Sequence, residues 1–209
     1  MIKLTKRLQA IADMVKCGCI PVDVGTDHGY IPVYLIQNKI CKTAVACDIN
    51  EGPLNSCRLL VSQCGFDDKI KCVLSNGLQS VDDEYDTVII AGMGGELIAD
   101  ILSKAENITS KNIILNPMTH PEIARKWLFD NGFEITKDIV VADGRHHYSV
   151  FSAEYVGSVG EKKQSDYYLG LITDFSDTEY FEHLLVYLKN KQKSGLDLAD
   201  LIKTIEEKL

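Results

Sequence analysis

The stretch DVGTDHGY, which begins at Asp23, brings two aspartates, a histidine and two glycines into eight residues. An apolar run precedes it and a helical pattern follows it. Strand-to-helix turns of this kind commonly hold nucleotide-like ligands on their backbone N–H groups. The dinucleotide fingerprint G-x-G-x-x-G, begun at Gly25, would need glycine at two positions that hold Asp27 and Tyr30. The turn therefore suits a nucleotide-like ligand without matching the dinucleotide pattern.

A different glycine pattern, acidic-x-G-x-G-x-G, is typical of methyltransferases and fits the same stretch better. Asp23, Gly25 and Gly29 meet this pattern, and it is missed only at Asp27. The match favours a methyltransferase cofactor turn. The alternative is a strand-to-helix turn that holds no ligand.

The ends of the next two strands add polar groups of the kind that a nucleoside requires. Asp48, followed by Ile49, ends an apolar run, where a carboxylate can accept hydrogen bonds from both ribose hydroxyls. The alternative for Asp48 is an N-cap of the following helix, since aspartate favours caps. In the segment SNGL, Asn76 and Gly77 occupy the place where methyltransferases read an adenine with one side chain and a backbone N–H.

The fourth strand ends in AGMGG, where missing side chains let a ligand approach the backbone closely. All four segments lie at carboxyl ends of predicted strands, where open α/β sheets bind ligands. S-adenosylmethionine is the cofactor that fits them best. The candidate cofactor-binding residues are Asp23, Gly25, Asp27, His28, Gly29, Asp48, Ile49, Asn76, Gly77, Gly92, Met93 and Gly94.

The elements that position these residues alternate between strand and helix patterns after an amphipathic N-terminal helix. Five strands are predicted, at about 20–24, 43–49, 70–76, 86–93 and 112–117. Such alternation predicts a parallel sheet covered by helices on both faces. Two later runs, 134–142 and 148–156, are joined by too short a loop for a parallel crossover and must form an antiparallel hairpin. The predicted fold is an α/β, Rossmann-like class I methyltransferase sheet closed by this hairpin.

The C-terminal part of the sequence is helical in pattern. Phe181, Leu184, Leu185 and Leu188 recur on one helix face. A second face is formed by Leu198, Leu201, Ile202, Ile205 and Leu209. We therefore predict two domains, an S-adenosylmethionine-binding domain over 1–159 and a C-terminal helical hairpin over 160–209.

Composition describes a globular protein with an uneven charge distribution. Of the 209 residues, 45% are hydrophobic and 25% charged, and no run approaches the ~18 apolar residues of a membrane span. We expect a cytoplasmic protein with no membrane partner, and the seven cysteines are expected to be reduced and to bind no metal. The net charge of −8 argues against a general nucleic-acid binder. A basic N-terminal segment on an acidic body is still compatible with one specific RNA.

Five segments together resemble one family, the bacterial tRNA (adenine-22-N1)-methyltransferases. They are DVGTDHGYIPVYL, ACDINEGPL, IIAGMGGELI, LNPMTHPEIARKWLFDNGFEI and GRHHYSV, and the resemblance extends over roughly residues 3–157. TDHGY and AGMGGELI are far more specific than the general methyltransferase pattern. The resemblance implies a class I fold, methyl transfer from S-adenosylmethionine to an adenine N1 in tRNA, and a C-terminal helical hairpin.

For this reaction the first turn supplies the candidate catalytic groups. N1 of neutral adenine already carries a lone pair, so the transfer needs placement and tolerance of positive charge rather than a base. Asp27 could accept from the exocyclic amine and offset that charge, and Tyr30 could stack on a base taken out of its helix. His28 could line the methionine end of the cofactor. The structural alternatives are that Asp27 caps the helix and that Tyr30 packs in the core.

Other polar residues are expected around the acceptor. Asn116 ends the fifth strand and is a candidate catalytic wall residue, and His120 is a candidate wall residue or a plain helix start. Arg145 could hold a phosphate or stack on a base. Arg7 and Tyr148 complete the predicted substrate-binding set, together with Tyr30, His120 and Arg145.

Two other functions remain open on the residues alone. A class I methyltransferase acting on a small molecule is favoured by the acidic charge and the modest C-terminal region. A non-catalytic nucleotide-binding module is favoured if Asp48 and the glycine turns are only structural. For the tRNA methyltransferase we expect a monomer or a weak dimer.

Overall fold

A seven-stranded sheet organises the chain in the computed structural model, which describes residues 2–82 and 84–209. The strands are β1 Pro21–Val24, β2 Ala44–Asp48, β3 Ile70–Leu74, β4 Thr87–Gly94, β5 Asn112–Thr119, β6 Phe133–Asp143 and β7 His146–Tyr155. The α-helices are α1 Lys6–Ala12, α2 Tyr30–Gln37, α3 Glu51–Gln63, α4 Gly95–Ser103, α5 Pro121–Asp130, α6 Gln164–Tyr168, α7 Thr178–Lys193 and α8 Ala199–Glu206. A 3₁₀ turn, Ile108–Ser110, precedes β5.

The strand order is β3-β2-β1-β4-β5-β7-β6. β1 to β5 are mutually parallel, whereas β7 runs antiparallel to both of its neighbours, β5 and β6. The predicted class, a doubly wound parallel sheet closed by an antiparallel hairpin, is confirmed. The order reverses between β1 and β4, and open α/β sheets hold their ligands at such a switch point.

Helices cover both faces of the sheet, and β4 illustrates how its residues divide between them. Val88 and Ile90 belong to one buried cluster, and Ile89 belongs to the cluster on the opposite side. This alternation follows from the two-residue period of a strand. Both faces are apolar because parallel strands are buried on both sides.

The C-terminal helices pack around a third apolar cluster. Phe181 and Leu188 of α7 face Leu201 and Ile205 of α8 there. The predicted helical hairpin is therefore present. Leu209, which was predicted to share the apolar face, is 45% exposed and lies outside the cluster. The short helix α6, which the sequence patterns did not predict, precedes the pair. The division of the chain into domains at residue 159 stays a prediction.

Two helix ends differ in how well local sequence signals account for them. α3 is followed by Gly65 in a left-handed conformation, with φ 70°, which glycine adopts readily after a helix. α1 is short and ends at Ala12. None of the helices in the described ranges combines the length and apolarity that crossing a membrane would require.

Candidate active site

Three cavities open around the carboxyl ends of the strands. The central cavity, of about 450 Å³, lies over β1 and is lined by Arg7, Leu8, Asp23, Gly25, Thr26, Asp27, His28, Tyr30, Ile31, Asp48, Asn50, Pro53, Ala91 and Gly92. The side cavity, of about 290 Å³, lies between the ends of β2, β3 and β4 and is lined by Val24, Gly25, Asp48, Ile49, Asn50, Ser75, Asn76, Gly77, Ala91, Gly92, Met93, Leu97 and Ile101. Asp48 and Gly92 line both, so the two cavities form one continuous cleft.

The first turn wraps tightly over β2 and β4. The N–H groups of Gly25 and Thr26 both donate to the carbonyl of Cys47, at 2.8 and 3.0 Å. Gly25 has a φ of 69°, and a Cβ there would overlap the methyl group of Met93. Glycine is therefore required at this position for both backbone conformation and space.

Asp23 is a buried carboxylate beneath this turn. Its side chain accepts a hydrogen bond from Thr26 Oγ1 at 2.7 Å, and the residue is 4% exposed. Burial raises the pKa of Asp23 to about 6, helped by the nearby negative charge of Asp48 and opposed by the Thr26 hydrogen bond. Asp23 is therefore ionised at neutral pH, although its burial makes the charged form unfavourable. A cationic ligand nearby would offset this desolvation cost.

Asp48 is buried with one oxygen still available. Its Oδ1 accepts from the N–H of Asn50 at 2.9 Å, while Oδ2 has no hydrogen-bond partner in the described ranges. The N-cap of α3 is Asn50, so the capping alternative for Asp48 is wrong. Asp48 lines both cavities of the cleft, so this oxygen can accept from a ligand there. Its position on the cleft wall therefore fits a hydroxyl-bearing ligand such as a ribose.

The residues after Gly25 project into the central cavity. Asp27 has a φ of 53°, and its side chain is 68% exposed and 3.6 Å from Nε2 of His28. Tyr30 is 42% exposed, with its ring centroid 5.5 Å from that of His28. The N-cap of α2 is Gly29, with no side-chain cap. Both structural alternatives are therefore wrong: Asp27 does not cap the helix, and Tyr30 is not a core residue.

Arg7 reaches the central cavity from α1. Its Nη1 donates to Asn116 Oδ1 at 2.8 Å, and its guanidinium carbon lies 5.4 Å from the ring centroid of Tyr148. Asn116 is fully buried, and its Nδ2 donates to the carbonyl of Ser149 at 3.0 Å. Asn116 therefore does not form the cavity wall predicted for it, because both ends of its amide are used to connect α1, β5 and β7.

The remaining predicted residues divide between the side cavity and a third one. Four of them line the side cavity, namely Ile49, Asn76, Gly77 and Met93. The third, aromatic cavity, of about 520 Å³, is lined by Met118, Thr119, His120, Pro121, Glu122, Arg145, His146, His147, Tyr148, Tyr168, Tyr180, His183, Leu184 and Tyr187. It contains the predicted substrate residues His120, Arg145 and Tyr148.

Two predicted cofactor glycines have positions away from these walls. Gly29 begins α2 and is packed against Cys57, and Gly94 begins α4 next to Thr119. Conversely, sequence reasoning missed Thr26 and Asn50, which line the cleft. Thr26 lies inside the quoted motif, so its hydroxyl was the available signal. Within the described ranges no group of three metal-ligating side chains occurs, and all seven cysteines are free thiols.

The sheet order and the cleft at its switch point define a class I methyltransferase, and comparison with known proteins agrees. A methyltransferase-domain family model matches residues 4–151. A tRNA (adenine(22)-N(1))-methyltransferase of Bacillus subtilis (strain 168) is 34% identical over 156 residues, which are 73% of this chain and 66% of that protein's length. The chain belongs to the tRNA (adenine-22-N1)-methyltransferase family, as its motifs predicted.

Solved structures of relatives extend the similarity to the whole chain. The crystal structure of the B. subtilis m1A22 tRNA methyltransferase TrmK has a TM-score of 0.86 at 26% identity, with 99% of each chain covered. A Streptococcus pneumoniae protein, provisionally named a tRNA (m1A22) methyltransferase, was solved in complex with S-adenosyl-L-methionine. It has a TM-score of 0.85 at 30% identity and covers 98% of this chain and 99% of its own. The similarity therefore includes the C-terminal helices.

Proposed function

We propose that this chain transfers a methyl group from S-adenosylmethionine to N1 of adenine 22 in tRNA, the reaction for which its relatives are named. The observation that carries the proposal is the buried Asp48 carboxylate. One of its oxygens has no partner in the described ranges, and it lies where the central and side cavities join. The substrate is then tRNA, and we expect the protein to act in the cytoplasm as a monomer or weak dimer.

The cofactor fits the cleft by the chemistry of its walls. Asp48 would accept from the ribose hydroxyls, and Asn76 and Gly77 would hold the adenine in the side cavity. Gly92, with a φ of 82° and open space where a Cβ would point, leaves room for the ligand between the two cavities. The buried Asp23 and the exposed His28 would flank the methionine end. S-adenosylmethionine supplies an electrophilic methyl group on a sulfonium.

The acceptor side of the central cavity matches a neutral adenine. The N1 lone pair needs no base, so the protein's task is to orient the ring and stabilise the positive charge that the methylated ring carries. The exposed Asp27 carboxylate can accept from the exocyclic amine and offset that charge. Tyr30, 42% exposed beside it, offers a face for stacking on a flipped base.

The RNA backbone would be held by cations at the central cavity and at the aromatic cavity beside it. Arg7 lines the central cavity, and Arg145 lies on the adjoining aromatic cavity with His120 and Tyr148. Asn116 would act as a positioning residue, since it touches the substrate region only through Arg7.

Labelled methyl transfer tests the function directly. Wild-type protein should label a tRNA transcript that has adenine at position 22 and should not label the same transcript with guanine there. Asp48→Ala should weaken cofactor binding by about 2 kcal/mol or more, because two hydroxyls lose a charged acceptor. Glu51→Ala, which removes an exposed carboxylate three residues away, is the matched control and should bind normally. Equal labelling of both transcripts would refute the proposed position.

A further inference from the structure

The aromatic cavity is built from four segments, one of which is α6 with Tyr168. β5 and the start of α5 contribute His120, the turn and start of β7 contribute Arg145 and Tyr148, and α7 contributes His183 and Tyr187. Its volume of about 520 Å³ lies within the range of small-ligand sites. Four tyrosines line it, namely Tyr148, Tyr168, Tyr180 and Tyr187.

Several carboxylates around this cavity are paired with cations. Glu122 Oε1 accepts from Lys191 Nζ at 2.9 Å and from the hydroxyl of Tyr187 at 2.6 Å. His147 Nδ1 lies 2.8 Å from the Asp177 carboxylate, and its Nε2 lies 3.1 Å from that of Glu179. Lys191 therefore neutralises Glu122, whereas Asp177 and Glu179 share one imidazole, and Glu96 lies 3.8 Å from Nε2 of His120. Attraction of an anion to the cavity would then depend on Arg145.

Three nitrogen-bearing side chains at the same cavity are free. Arg145, His146 and His183 are exposed and make no hydrogen bond or ion pair with the described part of the chain. Arginine and histidine next to tyrosine faces form a combination that suits a nucleotide, because the rings stack on a base and the cation binds phosphate. An aliphatic ligand would use neither group.

The aromatic cavity and the central cavity share a boundary. Arg7 lines the central cavity, Tyr148 lines the aromatic one, and the Arg7 guanidinium lies against the Tyr148 ring. A strand whose base enters the central cavity would therefore pass over this pair to reach the aromatic cavity.

We infer that the aromatic cavity binds a second unstacked nucleotide of the tRNA, the immediate strand neighbour of the adenosine that is methylated. The inference rests on the proposed function and adds to it a binding site for a flanking nucleotide. This site would make recognition depend on an unstacked neighbour as well as on the target base.

A charge placed on the cavity wall tests the site. His183→Glu puts a carboxylate beside the expected phosphate, at an exposed helix position that tolerates it. Gln192→Glu adds the same charge on the same helix, about 13 Å farther along its axis, at an exposed position away from the cavity. The readouts are the tRNA KM, the cofactor Kd, and the fluorescence of 2-aminopurine placed on either side of position 22 in the transcript.

With wild-type protein, one of the two flanking probes should change its fluorescence on binding. His183→Glu should abolish that response and raise the tRNA KM roughly tenfold, within the range that loss of one stacked base costs. Gln192→Glu should keep the response and a KM within about twofold, and neither variant should change the cofactor Kd.

The second nucleotide site and the proposed function can be refuted by different results. If wild-type protein methylates tRNA but neither flanking probe responds, or if both variants have the same KM, the second nucleotide site is refuted while the proposed function stands. If wild-type protein binds cofactor but labels no tRNA, the proposed function fails, and the second site fails with it.

Discussion

At the scale of single residues, the aspartates that end β1 and β2 meet different needs. Asp23 lies under the turn, is hydrogen-bonded by Thr26 and has its pKa raised to about 6. Asp48 keeps an oxygen without a partner in the described ranges. The first residue therefore supplies buried negative charge near the expected methionine end, and the second supplies a directed acceptor for hydroxyls.

Asp23 gives cofactor binding a pH dependence. Lowering the pH from about 7.5 to about 5.5 should weaken the affinity for S-adenosylmethionine several-fold, because the protonated carboxyl no longer attracts the cationic cofactor. Calorimetry across this range measures the effect. Asp23→Asn should bind more weakly at neutral pH and lose most of the dependence. If the variant shows the wild-type pH profile, Asp23 is not the titrating group.

The stability of the cofactor-free protein should depend on pH in the opposite direction to cofactor affinity: it should gain from protonation of Asp23, whereas affinity should lose. The unfolded carboxyl ionises near 3.8 and the folded one near 6, so between these values only the folded state binds the proton. The contribution of Asp23 to the free energy of unfolding therefore increases as the pH falls through about 6. Denaturant unfolding of wild type and Asp23→Asn at several pH values isolates this contribution by difference.

Asp27→Asn tests the proposed catalytic carboxylate. Asparagine tolerates the left-handed conformation of Asp27, at φ 53°, and no helix cap is lost because Gly29 is the N-cap of α2. Stability and cofactor Kd should therefore change little. The kcat on tRNA should drop by roughly a hundredfold, as expected for the loss of one preorganised electrostatic contact. The control is Asp68→Asn, which changes an exposed carboxylate in the loop before β3. Full kcat in Asp27→Asn would leave Asp27 with only a turn-forming role.

The sequence was informative about which residues lie at the carboxyl ends of strands and less so about what their side chains contact. Asp48 and Gly92 could be placed in the cleft because carboxyl ends of parallel strands meet at one edge. Asn116 could not be placed, since its partners Arg7 and Ser149 are 109 and 33 residues away. The local sequence pattern around a polar side chain near the end of a strand is the same whether that side chain contacts a ligand or a distant backbone carbonyl.

At the scale of elements, a buried ion pair fastens α5 and β6 to the segment that leads into the C-terminal hairpin. Arg125 is fully buried and binds Asp138 through Nε and Nη2, at 2.9 and 3.1 Å. Its Nη1 donates to the carbonyls of Tyr167 and Tyr168, and Nη2 also donates to Ser149 Oγ at 2.6 Å. The guanidinium thus connects α5, β6, β7 and α6.

Arg125→Met should destabilise the fold by about 3–5 kcal/mol, because it leaves the Asp138 carboxylate buried without a counter-ion. Adding Asp138→Leu should restore much of this loss, since an apolar pair of similar volume has no buried charge. Urea denaturation measures both. Lys126→Met, at the next position, removes an exposed pair with Asp130 and should change stability by less than about 1 kcal/mol. If Arg125→Met and Lys126→Met cost the same, the buried pair has no special role.

The order of elements could be predicted because each has a local signal. The short loop between β6 and β7 required antiparallel pairing, and the apolar faces of α7 and α8 required a helical hairpin. The helix α6 had no comparable signal, because its five residues are too few for a helical period and are held by the distant Arg125. Local pattern thus predicted the long elements, and tertiary contacts decided the short one.

At the scale of the whole molecule, an acidic protein must bind an acidic polymer. The net charge is −8, yet Arg7 and Arg145 lie at the cavities on the cleft edge, and the nearby Glu122 and Asp177 are paired with Lys191 and His147. Since these carboxylates have their own partners, the charges of Arg7 and Arg145 remain available where the RNA would lie. The local charge pattern, rather than the total, should therefore govern tRNA binding.

Charge reversal on opposite edges of the sheet tests this. Arg145→Glu should raise the tRNA KM roughly tenfold and reduce the slope of log KM against log salt by about one, because a phosphate contact and its released counter-ion are lost. Arg145 is preferable to Arg7, whose guanidinium also holds Asn116. Lys42→Glu makes the same charge change at an exposed position just before β2, at the opposite end of the strands, and should leave both quantities near wild type.

Steady-state methylation at several salt concentrations gives the slopes, and a Kd for S-adenosylmethionine that stays constant in both variants excludes a general loss of folding. If Lys42→Glu weakens binding as much as Arg145→Glu, the total charge rather than the cleft-edge cations controls tRNA binding. If KM does not depend on salt, neither the total charge nor the cleft-edge cations control it.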